Sequence, residues 1–124
     1  MLSYGLANKV SLCGASKDVL NEIKDASLFI MSSDFEGFPP NSLVEAMAVG
    51  LPVISTDFPT GIARDLIGED NGRIVPVNDR NALGNAIIEI MSNSQLRKKM
   101  RIENRKIAND LNLEKIVCKW ESIF

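Results

Sequence analysis

The run Ser32-Ser33-Asp34-Phe35-Glu36-Gly37-Phe38-Pro39-Pro40-Asn41-Ser42-Leu43-Val44-Glu45-Ala46-Met47-Ala48-Val49-Gly50-Leu51-Pro52-Val53-Ile54 prescribes a loop, a helix and a strand. The uninterrupted apolar segment Ser27-Leu28-Phe29-Ile30-Met31 leads into it, as expected of a strand covered on both faces. Two prolines stiffen the loop, and Asn41 can cap the helix through Glu45-Ala46-Met47-Ala48. Gly50 stops that helix, and Pro52-Val53-Ile54 reads as the next strand.

The same alternation extends outward in both directions. Upstream, Val10-Ser11-Leu12-Cys13-Gly14 is a short apolar run closed by glycine. Ser16 to Ala26 then places Val19, Leu20 and Ile23 on one helical face, with Ser16 as N-cap. Downstream come a turn from Asp57 to Gly61, a short helix to Gly68, a turn at Asp70-Asn71-Gly72 and a strand at Arg73-Ile74-Val75. Asp79 opens a helix that buries Leu83, Ala86, Ile87 and Ile90, and helices over roughly 94 to 110 and 113 to 123 close the chain. This order predicts an α/β fold: a parallel sheet with helices on both faces and right-handed crossovers. In such a sheet ligands sit beyond the carboxyl ends of the strands, here the loops starting at Gly14, Ser32, Ser55 and Pro76.

Composition narrows the chemistry. A chain of 124 residues with 45% hydrophobic and 24% charged residues is one soluble domain or part of one. A net charge of −2 gives no electrostatic reason to expect nucleic acid. No apolar run is long enough to span a bilayer, and the N-terminus has no signal-peptide pattern. Cys13 and Cys118 read as reduced core thiols of a cytoplasmic protein. With no histidine, Ser-His and Cys-His pairs and histidine-bearing metal sites are excluded within this chain. Neither G-x-G-x-x-G nor the P-loop pattern occurs, and no Asp-x-Asp pair is available to hold a metal on a diphosphate.

What remains is carboxylates, backbone amides and helix ends. Beyond the Ser27–Met31 run, the loop offers Glu36 and, at Gly37, backbone that can approach a ligand. The helix after Pro40 points its free N–H groups back at the loop, and its end carries about half a positive charge. Glu45 lies about one turn into that helix and can accept hydrogen bonds from vicinal hydroxyls. The set suits a sugar bearing a phosphate. Each carboxylate alone also has a plain structural role: Glu45 supporting the first helical turn, Glu36 as a solvated loop residue.

The ordered segment resembles the E-x7-E signature of the retaining GT-B glycosyltransferases of family 4 (group 1). There the pattern runs roughly Ser-x-x-Glu-Gly-x-Pro-Asn-x-x-x-Glu-Ala-Met-Ala-x-Gly-x-Pro-Val-Ile. The likeness continues through Ser55-Thr56-Asp57, Pro59-Thr60-Gly61, Asn71-Gly72-Arg73-Ile74-Val75-Pro76-Val77, Asp79 and the final Trp120-Glu121-Ser122-Ile123-Phe124. It implies that residues 1–124 are an incomplete, Rossmann-like GT-B C-terminal domain that binds a nucleotide sugar, with no metal and no cofactor beyond that donor. It implies that Glu36 contacts the hexose and is the catalytic residue, while Glu45 holds the ribose. The amides of Gly37, Phe38, Pro39, Pro40, Asn41, Ser42 and Leu43 would border sugar and diphosphate (the two prolines contributing shape only), and the Gly14 loop the nucleobase. Residues 37 to 44 put eight positions between Glu36 and Glu45, one more than the family's seven. Asn41 keeps its spacing to Glu45, so the extra residue falls at Pro39 or Pro40.

The resemblance also implies absences. A GT-B enzyme needs a first domain for its acceptor, and an Arg and a Lys on the diphosphate from an earlier part of the second; this chain carries neither. Sugar transfer by the chain alone is therefore not expected. The Val10 strand would lack its usual neighbours, which predicts a homodimer or a rearranged sheet. The basic run Arg97, Lys98, Lys99, Arg101, Arg105 and Lys106 reads as a solvated helix face turned away from Leu96, Met100 and Ile107, with docking to the inner face of a membrane as the second reading. A non-catalytic α/β module binding a nucleotide or partner protein is the alternative from another class. A GT-B-fold epimerase is disfavoured by the missing histidines.

Overall fold

Val53 and Ile54 are both fully buried, and alternation along the strand sends them to opposite sides of the sheet. The computed structural model describes residues 9–11, 19–32, 41–59 and 62–111. Its elements are α1 (Val19–Ile23), β1 (Phe29–Met31), α2 (Asn41–Ala48), β2 (Val53–Thr56), α3 (Ile62–Leu66), β3 (Gly72–Val75), α4 (Arg80–Met91) and α5 (Ser94–Leu111). The sheet is parallel throughout, in the order β1-β2-β3. Phe29 pairs with Val53, and Val53 with Gly72. Two apolar layers cover it. Val53 and Met31 pack with Leu43, Val44, Ala46 and Met47 of α2 and with Phe58, Ala63 and Ile67, while Ile54 and Val75 pack with Ala86 and Ile90 of α4 and Met100 of α5. The expected α/β arrangement with helices on both faces is the observed one.

Local sequence accounts for the element ends. Gly50 takes φ +85°. Its N–H donates to the Met47 carbonyl at 3.0 Å and the Leu51 N–H donates to the Ala46 carbonyl at 3.0 Å, the paired bonds of a Schellman motif that closes α2. Asp79 caps α4, its carboxylate accepting from the Ala82 N–H at 2.9 Å. The predicted buried face of α4 is found: Ala86 and Ile90 are buried, with Leu83 and Ile87 packed against the same cluster. β2 runs two residues beyond the predicted Pro52–Ile54 segment. Ser55 and Thr56 can be strand interior because their hydroxyls donate locally, Ser55 to the Thr56 carbonyl (2.9 Å) and Thr56 to the Met31 carbonyl (3.5 Å). β3 starts at Gly72, where a Cβ would collide with the Val53 backbone carbonyl. Of the predicted first strand only Val10 and Ser11 are described; neither is in a strand, and Leu12 to Gly14, like Ser16, both cysteines and the final helix, lie outside the described residues.

The helix α5 departs from the uniform solvated face expected of its basic run. Arg97 Nη1 donates to the Ile90 (2.9 Å) and Met91 (2.6 Å) carbonyls, satisfying the end of α4 where negative partial charge collects. Arg101 Nη2 donates to the Ala26 carbonyl at 2.5 Å. Arg105 lays its side chain over Gly50, 2.6 Å from where a Cβ would stand. Between them Asn104 is fully buried. Its Nδ2 donates to the carbonyls of Leu51 (2.6 Å) and Asn71 (3.0 Å), and its Oδ1 accepts from Asn71 Nδ2 at 3.0 Å. Ala26, Leu51 and Asn71 each lie just before a strand, so α5 fastens the amino ends of β1, β2 and β3 together.

Two stability predictions follow from these contacts. Asn104→Ala strands two carbonyls and an amide in an apolar surround and lowers unfolding free energy by about 2–4 kcal/mol, read from urea melts; a loss below about 0.5 kcal/mol would show that water or the neighbouring side chains replace the lost bonds. Arg73 Nε, 2.8 Å from Glu89 Oε1, holds the Glu89 carboxyl below its ordinary range chiefly by hydrogen bonding; desolvation opposes this, and the Arg73 charge adds the smallest lowering. Because the folded value is lowered, the stabilisation is complete above the unfolded carboxylate pKa of about 4.3 and is lost as pH falls through the lower folded value. Glu89→Gln therefore makes the acid limb of a stability–pH curve shallower, and the change is small because the pair is half-exposed.

Candidate functional site

With the amino ends of the strands covered by α5, the carboxyl ends are the side left for a ligand. They are held level by the Thr56–Met31 bond and by the Asp57 N–H donating to the Val75 carbonyl at 2.8 Å. Beyond them lies a cavity of about 180 Å³ lined by Ser32, Thr56, Val75, Pro76, Asn78, Asp79, Arg80 and Leu83. Three of the four loops singled out from the sequence start at or beside this rim: Ser32, Ser55 and Pro76. Its floor is apolar, from Val75 and Leu83, and its wall is polar.

That polar wall was only partly legible. The Pro76 loop was expected to face a ligand, but Asn78 and Arg80 were not marked as part of it. Asn78 holds φ +63°, a conformation asparagine tolerates better than most residues, and this turns the chain into the Asp79 cap. Arg80, exposed at the start of α4, is a cation on a rim where composition offered no specific one. Across the rim, Asp57 accepts from Arg64 Nε at 2.9 Å, so its carboxylate is already paired.

The residues of the predicted donor site divide sharply. Gly14, Glu36, Gly37, Phe38, Pro39 and Pro40 lie outside the described residues. Asn41 begins α2, directly after the loop as the spacing requires. Ser42 is exposed and Glu45 half-buried about one turn in. Leu43 is fully buried among Val44, Ala46 and Met47, so its side chain belongs to the core and only its backbone amide remains for a ligand. α2 packs against β1 and β2, and it therefore starts on the same side of the sheet as the rim, its first N–H groups free of intrahelical partners. Among the described residues no cluster of three or more His, Cys, Asp or Glu could hold a metal ion, and no helix is long and apolar enough to cross a membrane.

The fold recurs in known proteins. The family model described as glycosyl transferases group 1 matches residues 1–107. Over 121 residues the chain is 34% identical to an exopolysaccharide phosphotransferase of Streptomyces coelicolor, covering 97% of this chain and 13% of that protein. Over 116 residues it is 31% identical to the poly(glycerol-phosphate) alpha-glucosyltransferase of Bacillus subtilis, covering 93% and 17%. Sucrose-phosphate synthase from Thermosynechococcus elongatus superposes with a TM-score of 0.77 at 25% identity, over 99% of this chain and 32% of that one. HepE of Anabaena, solved in complex with UDP, shares the fold with a TM-score of 0.80 at 22% identity, over 99% and 35%. The chain thus spans less than a fifth of these two curated relatives and about a third of the two solved structures.

At the rim the Asp79 cap gives a direct prediction. Asp79→Ala removes the acceptor for the Ala82 N–H and costs about 1 kcal/mol, whereas Asp79→Asn retains most of the stability; equal melts for the two variants would show that the cap contributes nothing.

Proposed function

The chain belongs to the group 1 glycosyl transferases, and we propose that it is part of the second, nucleotide-sugar-binding domain of a retaining transferase. The observation that carries this reading is the start of α2. Immediately after the loop from β1, a helix of eight residues opens beside the carboxyl ends of the sheet with Glu45 half-buried about one turn in. A helix end attracts the donor's diphosphate, and a carboxylate one turn along accepts from the vicinal hydroxyls of its ribose. Glu36 orients the hexose from the loop. The amides of Gly37, Phe38, Asn41, Ser42 and Leu43 border the sugar and diphosphate, and Gly14 borders the base.

In the intact enzyme the leaving diphosphate gains negative charge as the glycosidic bond to the donor breaks. Helix α2 stabilises that charge through N–H groups already in place, at no cost of reorganisation. The two acidic side chains are best kept off the phosphates, and cations from the remainder of the enzyme complete the pocket. The acceptor and its site belong to that remainder too. Relatives named for exopolysaccharide and poly(glycerol-phosphate) chemistry support polysaccharide or glycolipid assembly as the setting, with the donor drawn from the cytoplasm and no metal required.

Calorimetric titration of UDP, GDP and ADP, with the matching sugar forms, tests the reading. Binding by the chain alone should be weak, with Kd on the order of 1 mM, because a diphosphate without its cations gains little. Glu45→Ala should weaken it at least tenfold while the circular dichroism spectrum stays unchanged. Titration heats indifferent to that substitution would remove the ribose assignment.

A further inference from the structure

Ile102 is the most exposed large apolar side chain of the described residues, at 69%. It stands in the middle of α5, on the side opposite Met100 and Asn104, both fully buried. At 100° per residue, Lys98, Lys99, Arg105 and Lys106 all fall within about 60° of Ile102, at positions −4, −3, +3 and +4. All four are exposed, and that arc of the helix holds no carboxylate; Glu103 lies on its flank. Lys99 Nζ approaches Asp70 to 3.3 Å, with both side chains about two-thirds exposed, so solvent weakens the pairing. The fold recruits Arg97 and Arg101 for its own carbonyls and lays Arg105 over Gly50, which leaves Lys98, Lys99 and Lys106 beside the exposed Ile102.

We propose that the outer face of α5 docks on a bilayer surface rich in anionic phospholipid. The cations meet the headgroup phosphates, and Ile102 enters the boundary between headgroups and acyl chains while the flexible lysine stems keep their ammonium groups in the polar layer. A nucleic acid fits the face less well. It has no use for a central isoleucine, α5 offers no aromatic ring for stacking, and the chain as a whole is negative. Docking in this way lays the long axis of α5 along the membrane, with the amino ends of the strands between it and the groove at their carboxyl ends.

Co-sedimentation of the chain with vesicles decides the matter. Vesicles of phosphatidylcholine with about one quarter phosphatidylglycerol should retain the protein, and pure phosphatidylcholine should not. The bound fraction should fall several-fold between about 50 and 300 mM salt. Lys98→Glu with Lys106→Glu should lower the apparent affinity for the anionic vesicles at least tenfold, and Ile102→Ser should lower it a few-fold at low salt. All these positions are exposed, so unchanged thermal melts are expected and separate lost docking from lost folding. Binding to neutral vesicles at the same level, binding that survives the double charge reversal, or a failure of the folded wild-type chain to sediment with anionic vesicles would each overturn the proposal. So would a charge-dependent preference for double-stranded DNA over the vesicles in direct competition.

Discussion

The buried amide of Asn104 is the contact on which the architecture turns. A parallel sheet keeps its strands in register only if something fixes both ends, and three strands of three or four residues have few ladder bonds of their own. One side chain joins the approaches to β2 and β3, and Arg101, three positions earlier on the same helix, reaches the approach to β1. The Asn104 bonds satisfy buried main-chain carbonyls, which is why an asparagine is tolerated at full burial.

Securing the amino ends divides the molecule by role. The α5 side is closed by carbonyl contacts, whereas the carboxyl ends open into a groove whose wall comes from the turn at Asn78 and the start of α4. Among the helices that begin at this end are α2 and α4. In α4 the first turn is already occupied by its own Asp79 cap. In α2 the corresponding carboxylate stands one turn inside the helix, at Glu45, and leaves the leading N–H groups to whatever lies before them. The two helices thus place their carboxylates differently, at the cap in α4 and one turn inside in α2.

Most of this was readable in the residues. Apolar runs gave the strands at Phe29–Met31, Val53–Thr56 and Gly72–Val75 to within two residues, and the helical period gave the buried face of α4. Gly50 and Asp79 marked helix ends by known backbone preferences. What stayed hidden depended on partners distant in the chain. Asn104 reads as an ordinary polar residue in a basic helix, and nothing local says that two carbonyls await it. The same holds for Arg97 and Arg101, indistinguishable by composition from Lys98 and Lys106. The part of the candidate site before Asn41 rests on the signature alone, and Leu43 shows the limit of assigning a whole motif to a ligand, since alternate positions of a helix must also feed the core.

The clasp on the strand ends has a bearing on the order in which the protein can form. Asn104 is separated by 53 positions from Leu51 and by 33 from Asn71, and Arg101 by 75 from Ala26. On the ribosome, every strand emerges before the helix that will hold it, and the nascent sheet meanwhile exposes its apolar edges. Closing such long intervals carries a chain-entropy penalty that local turns do not. Completion of the sheet is thereby coupled to the emergence of the helix that clasps its strand ends.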